Sequence, residues 1–464
     1  MSKLYPRLSI SMCLCLFIAS IAYGQPSPAT LIDTMIQRAF RLGVFNGNVL
    51  VIDHDKVIYR RSVGFADATH RQLLTDQYRF HIGSIAKEFN AVAIMLLAEQ
   101  GKLQVTDKVA RYLPGLPDWA EKISILDLLQ YTSGLPDVNW HTIQSDQDNM
   151  ADLRRLPRLQ FEPGTNYGYN NNNVFLQRRI IEQISGVPFN TFVEQQLLRP
   201  LGMQHAIIDP TERDTLMARG FNNEGRQDRI QYPISGWTAV TLDDFYKWSE
   251  GLNRFRLLSP AATRVILNNT TGTSRQAGLG RGSMEGDQIS LHSHDGSAGY
   301  YQALLVSEPL KGRTVILMVN NRQDNIYDFN LAIQNILDGK PYVQPKKSAE
   351  PLLLKDIDQQ TIPQFFARYH ALKKSHGVQY NFDAESLLNG IGYYLLRKDR
   401  VDDAITVFTY NTRLYPMSGN VFDSLGEAYY KKGDKKNALL HYKHSLALDP
   451  NNPAARKIVA SLEN

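Results

Sequence analysis

Apolar residues at Ile85, Phe89, Val92, Ala93, Leu96 and Leu97 recur at helical spacing, which predicts a helix from Ser84 to Gln100 stopped by Gly101. A second helix is expected from Thr34 to Leu42, ending near Gly43. Asn48 to Asp53 and Lys56 to Gly64 are apolar-rich runs separated by Asp53-His54-Asp55, a hairpin pattern. Helical and turn-rich segments follow to about residue 260. Strands are then expected at Ile289 to His292, Tyr301 to Val306 and Thr314 to Val319, and a helix at Tyr327 to Leu337. Strands at both ends with helices between predict an α+β unit, one sheet built from both termini around a mostly helical insertion.

Gly339 to Pro351 carries two prolines and Lys346-Lys347 and reads as a linker, followed by a helix from Gln359 to Leu372. Beyond it the chain repeats. Gly392, Ala404, Phe408, Leu414 and Pro416 recur as Gly426, Ala438, Tyr442, Leu448 and Pro450, each 34 residues later. That period is the tetratricopeptide pattern, an all-α unit with small residues where two helices cross. Two repeats are fewer than such stacks need, so a neighbouring helix or surface is expected to cover an open end.

The N-terminus adds an export signal. Lys3 and Arg7 precede an apolar stretch from Leu8 to Ala22, and Ala22-Tyr23-Gly24 offers the small residues of a cleavage site. The stretch is short for a membrane span. The expected organisation is therefore a signal peptide over 1–24, a main domain over 25–340, a linker and helix over 341–384, and repeats over 385–464. Both cysteines of the chain, Cys13 and Cys15, lie in the signal, so the exported protein would have neither disulfide nor thiol chemistry. Losing Lys3 and Arg7 takes the formal charge of +5 to about +3, too weak and scattered for a nucleic-acid partner.

Ser84-Ile85-Ala86-Lys87 is the first candidate for chemistry. A serine hydroxyl needs a base to take its proton, and a lysine three residues on in a helix lies on the same face. To act as that base the amine must be neutral, which burial or cationic neighbours favour. The helix N-terminus also turns the Ser84 N–H toward an incoming carbonyl oxygen. The bland alternative is a solvated lysine on a surface helix.

Context favours chemistry. The run from Phe80 to Phe89 is similar to the nucleophile segment of class C β-lactamases and low-molecular-weight penicillin-binding proteins. Leu128 to Pro136, and Phe161-Glu162-Pro163-Gly164-Thr165 leading into Tyr169-Asn170-Asn171, resemble stretches of the same family. Tyr169-Asn170-Asn171 matches its Tyr-x-Asn motif, with Asn170 where serine is frequent. Gly236-Trp237 to Trp248 also looks like the family's late helix entry. His294-Asp295-Gly296-Ser297 resembles the third motif, on the strand flanking the cleft, with His294 where many β-lactamases carry lysine. The resemblance covers roughly residues 28 to 338.

It implies a β-lactamase/transpeptidase-like fold, an antiparallel sheet flanked by helices with a helical subdomain as the other cleft wall. It also implies a catalytic set of Ser84, Lys87, Tyr169 and Asn171. Tyr169 and Lys87 would share a proton, with Tyr167 the rival phenol, while Asn171 would hydrogen-bond Lys87 and a substrate amide. Ser84 and Ser297 would supply the oxyanion N–H groups, with Gly296 and His294 beside the substrate. No cofactor is implied. His292 and His294, two apart on a strand, could share a metal, but the run is one residue short of a zinc-hydrolase His-x-His-x-Asp-His pattern and lacks its last histidine. The expected partners are thus a peptide or small-molecule substrate, and a peptide or protein on the repeats, without nucleic acid or metal. The machinery suits a peptide or D-amino-acid amide, a cell-wall stem peptide, an ester or a β-lactam, and His294 favours peptidase or esterase action. A catalytically silent cleft that only binds peptides is the rival class.

Overall fold

Alternation along the strands decides the architecture. In the computed structural model, which describes residues 26–269, 275–450 and 452–463, the chain forms β1 (Gly47–Asp53) and β2 (Lys56–Val63) near the start. Four more strands come more than 200 residues later: β3 (Arg281–Glu285), β4 (Gln288–Ala298), β5 (Tyr301–Glu308) and β6 (Arg313–Val319). They make one antiparallel sheet in the order β2-β1-β6-β5-β4-β3. β1 pairs with β6 through Gly47 opposite Val319 and Ile52 opposite Thr314, closing the sheet from both ends of the domain.

Both faces of the central strands β1, β6 and β5 are buried. Val49 and Val51 of β1, Leu304 and Val306 of β5, and Val315 and Leu317 of β6 point to a core shared with α1 (Pro28–Arg41) and a helix at Ile326–Leu337. Their neighbours Leu50, Ile52, Ala303, Leu305, Ile316 and Met318 point to the opposite core, which holds α2 (Lys87–Glu99), α3 (Asn171–Ser185) and α4 (Leu242–Asn253). Two covered faces explain why β1, β5 and β6 read as nearly unbroken apolar runs rather than as alternating ones. Each fully buried Val, Leu or Ile contributes about 1.5–3 kcal/mol.

Some boundaries moved for local reasons. The first helix begins at Pro28, not Thr34, because Ser27 accepts from Thr30 N as N-cap and Pro28 fits the first turn. β3 was not expected: Arg281-Gly282-Ser283-Met284-Glu285 is polar because it is a half-exposed edge strand. β4 continues past His292 to Ala298, carrying the whole His294–Ser297 segment into the sheet. The expected linker contains a two-residue strand, Lys347–Ser348, paired with Tyr380–Asn381, and a helix at Glu350–Leu354.

The C-terminal repeats are helices Glu385–Arg397, Val401–Leu414, Gly419–Lys432 and Lys435–Leu448. A Cβ on Gly392 would lie 2.4 Å from the Phe408 ring, and one on Gly426 would lie 3.0 Å from the Tyr442 ring. The glycine and aromatic positions recur together because each ring rests on the backbone of the helix before it. Phe365 and Tyr369 of the helix Ile362–His376 join the core of the first repeat, and Ala455 of the last helix joins that of the second. The expected signal segment, with Cys13 and Cys15, lies outside the described residues. Among the described residues no helix is long and apolar enough to cross a membrane.

Candidate active site

Ser84 sits in a 3₁₀ turn, Gly83–Ala86, that leads directly into α2. Gly83 has φ +55°, and a Cβ there would lie 2.2 Å from Ser297 N. From the other side, a Cβ on Gly296 would lie 2.0 Å from Ile82 O and 2.6 Å from Ser84 N. Turn and strand therefore touch backbone to backbone, and only glycines allow it. The backbone nitrogens of Ser84 and Ser297 both lie at this glycine contact.

Lys87 opens α2, is 7% exposed, and donates from Nζ to Ser84 Oγ at 2.9 Å. Its Nζ also lies 5.1 Å from the centre of the Tyr169 ring, at cation–π distance. Tyr169 is 37% exposed at the mouth and packs on the buried Tyr131, 4.7 Å between ring centres. The rival Tyr167 is turned toward Arg275, whose guanidinium lies 5.1 Å from its ring, and burial pushes its phenol up to about 12. Of the two phenols, Tyr169 stands beside the lysine.

Asn171 is placed differently from expectation. It is the first residue of α3, and both its backbone N and its Nδ2 donate to Asp137 Oδ1, at 2.7 and 3.1 Å. A carboxylate at a helix N-terminus is favoured by the orphan N–H groups and the dipole, which is why Asp137 wins this side chain. Asn171 still lines, with Lys87, Arg178 and Trp237, a cavity of about 20 Å³, room for one water. Asn170 caps α3 by accepting from Asn173 N, as the turn-forming role of such residues predicts.

His294 is likewise not at the substrate side. Its register opposite Leu305 turns it inward, it is 1% exposed, and its Nδ1 meets Glu88 Oε1 at 2.8 Å. Asp295, on the other face of β4, accepts from the Tyr327 hydroxyl. Among the described residues no group of three or more His, Cys, Asp or Glu is arranged to hold a metal ion.

Several residues here carried no signal in sequence. His81 is buried, and its Nδ1 accepts from Gly83 N at 3.0 Å, bracing the nucleophile turn. Burial, and then the Lys87 charge, push its imidazole down to about 3. A histidine kept neutral in the fold but ordinary when unfolded destabilises the fold as pH drops from about 6.5 toward that value. Wild-type melting temperature is therefore expected to fall between pH 6.5 and 4 more steeply than that of His81→Asn, whose side-chain oxygen can still accept from Gly83; parallel pH profiles would contradict this.

Arg178 is also buried; burial lowers its guanidinium to about 10, and its Nη1 donates to Ser235 at 3.2 Å. Asp146 accepts from Ser235, and Asp209 from Gly236 and Trp237, so this loop is held from beneath. The loop forms one wall of a groove of about 680 Å³ with Gln144, Tyr232, Ile234 and Trp237, and Ile234, Ser235 and Trp237 also line the Lys87 cavity. The pinned loop was invisible in sequence because its partners come from segments 27 to 89 residues away.

Residues 30–337 match the model of the Beta-lactamase family, and residues 420–452 match a tetratricopeptide repeat. The chain is 29% identical over 346 residues to a penicillin-binding protein of Bacillus subtilis, covering 66% of this chain and 75% of that one. The fold is shared with a penicillin-binding protein from Bacillus halodurans (TM-score 0.56, 23% identity, 66% of this chain and 98% of that one). It is shared also with a class C β-lactamase (TM-score 0.57, 19% identity, 68% and 97%).

Proposed function

The chain belongs to the Beta-lactamase family, and on that footing we propose that it is an exported serine hydrolase that cleaves an amide or ester through an acyl-enzyme on Ser84. The observation that carries this reading is the buried Lys87 amine 2.9 Å from the Ser84 hydroxyl, at the start of a helix and beside a tyrosine.

Ser84 Oγ attacks the carbonyl carbon as its proton passes to Lys87. The developing oxyanion faces the N–H groups of Ser84 and Ser297, a pair in which each donor is worth about 10²–10³ in rate. The proton then goes to the leaving amine or alcohol. Water attacks the acyl-enzyme with Lys87 and Tyr169 again moving the proton, and the acid is released. Asn171, held by Asp137, borders the pocket rather than bonding the lysine.

The substrate class we favour is a peptide-like or D-amino-acid amide, a cell-wall peptide included, or an ester. The groove that shares the wall of Ile234, Ser235 and Trp237 with the lysine pocket has room for an extended acyl portion, and similar proteins include penicillin-binding proteins. β-Lactam turnover stands as the second reading, on the shared fold with class C β-lactamase. The repeats would hold a peptide or protein partner. Export rests on the charge, apolar and small-residue order of residues 1–24.

Treating the protein with a fluorophosphonate and with a penicillin, and mapping the added mass, tests the reading. An adduct on Ser84 that vanishes in Ser84→Ala is expected; a folded protein that takes neither reagent would leave a silent binding cleft. Tyr169→Phe keeps the ring over Lys87 but removes the hydroxyl. It is expected to slow turnover of a p-nitrophenyl ester about 10²-fold or more, the contribution of one proton-transferring group. Tyr167→Phe should change it little, and equal effects would remove Tyr169 from the mechanism.

A further inference from the structure

The two histidines whose spacing invited a metal have another partner. His292 Nε2 and His294 Nδ1 both meet one oxygen, Glu88 Oε1, at 2.9 and 2.8 Å, and Trp248 Nε1 donates to Oε2 at 2.6 Å. All four side chains are buried. Because a carboxylate only accepts, each ring must carry its proton on the nitrogen facing Glu88. His292 Nδ1 and His294 Nε2 are left buried without a partner. Burial alone would raise the Glu88 carboxyl, but the two histidines hold it well below the usual carboxylate range.

The position of this cluster matters more than its charge. Glu88 follows Lys87 in the first turn of α2, and the histidines precede Gly296 and Ser297 on β4. The proposed oxyanion donors stand on the turn that leads into α2, Ser84 N–H, and on β4, Ser297 N–H. Where the turn meets β4, Gly83 and Gly296 bring the two backbones together without side chains of their own. We propose that Glu88 is a positioning residue: through His292 and His294 it clamps β4 to the start of α2 and so sets the separation of the two oxyanion donors. This rests on the acyl-transfer reading above.

Oxyanion donors act on charge that exists only in the transition state. Loosening the clamp should thus slow bond formation without weakening binding of the reagent. The probe is a fluorophosphonate: Ser84 Oγ bonds to phosphorus, the P–F bond breaks, fluoride leaves, and the serine proton passes to Lys87. Glu88→Gln keeps the shape, removes the charge, and turns an amide N–H against an N–H of His292, His294 or Trp248. The maximal labelling rate is expected to fall about 10–100-fold, while the half-saturating concentration stays within about twofold.

His292 supplies a rescue pair. His292→Gln can keep an N–H at the same reach and should stay within about threefold of wild type, whereas His292→Leu, with bulk but no donor, should fall like Glu88→Gln. Cooperative melting shows which variants are folded, and if Glu88→Gln is not, the His292 pair decides alone. Wild-type labelling rates in Glu88→Gln, a changed half-saturation with an unchanged maximum, or a His292→Gln as slow as His292→Leu would each overturn the clamp. A wild-type protein that never labels would instead overturn the acyl-transfer reading.

Discussion

Replacing Lys87 with methionine is expected to lower both fluorophosphonate labelling and ester turnover by about 10²–10⁴-fold, the range that a positioned general base supplies. The substitution is chosen for its size. Methionine is unbranched and of similar length, so it can fill the space beneath Tyr169 that the lysine stem occupies at 7% exposure. The helix is not at risk either, since methionine is among the better helix formers. What disappears is the one amine 2.9 Å from Ser84 Oγ. A melting temperature close to wild type, with labelling lost, places the effect in chemistry. Retained labelling in a folded Lys87→Met protein would hand the base role to another group, with Tyr169 first in line.

Gly296→Ala is expected to be nearly as damaging from a single methyl group. The added carbon would sit 2.0 Å from Ile82 O and 2.6 Å from Ser84 N, both backbone atoms, so no flexible side chain can swing aside. β4 must lift from the nucleophile turn, separating the donors of Ser84 and Ser297. Loss of one oxyanion donor corresponds to about 10²–10³ in turnover, and overpacking costs about 1–3 kcal/mol of stability. Gly392→Ala offers a matched control in the repeats, where a Cβ would strike the Phe408 ring at 2.4 Å, in a core separate from that of α2. It should lower melting temperature and leave labelling intact. If Gly296→Ala labels at the wild-type rate, the third motif does not form part of the site.

The clamp and the turn together suggest how the site is built. Polar side chains hold it from behind, while glycines let the reacting backbone come close in front. Glu88 and its three donors lie in the main core beside Phe89, whose ring is 4.0 Å from that of Trp248. The polar cluster is therefore fixed by apolar packing on the same helix that carries Lys87.

Much of this was legible in the chain itself wherever the relevant partners are close in sequence. The hairpin of β1 and β2, the helix after Ser84, the Ser84–Lys87 pair three residues apart and the 34-residue repeat all follow from periodicity and spacing, which local backbone geometry enforces. Tyr169, in the run that follows Pro163-Gly164, lies beside Lys87, while Tyr167 faces Arg275.

Other features were decided only when the chain closed on itself. Glu88 meets histidines 204 and 206 residues away. Asn171 is taken by Asp137, 34 residues earlier, instead of by Lys87. His294 turns into the core because its register opposite Leu305 faces α2. A spacing rule specifies which face of its own element a side chain occupies. Which buried donor then finds which acceptor depends on the packing of elements far apart in sequence, where an unpaired polar group costs enough to select its partner.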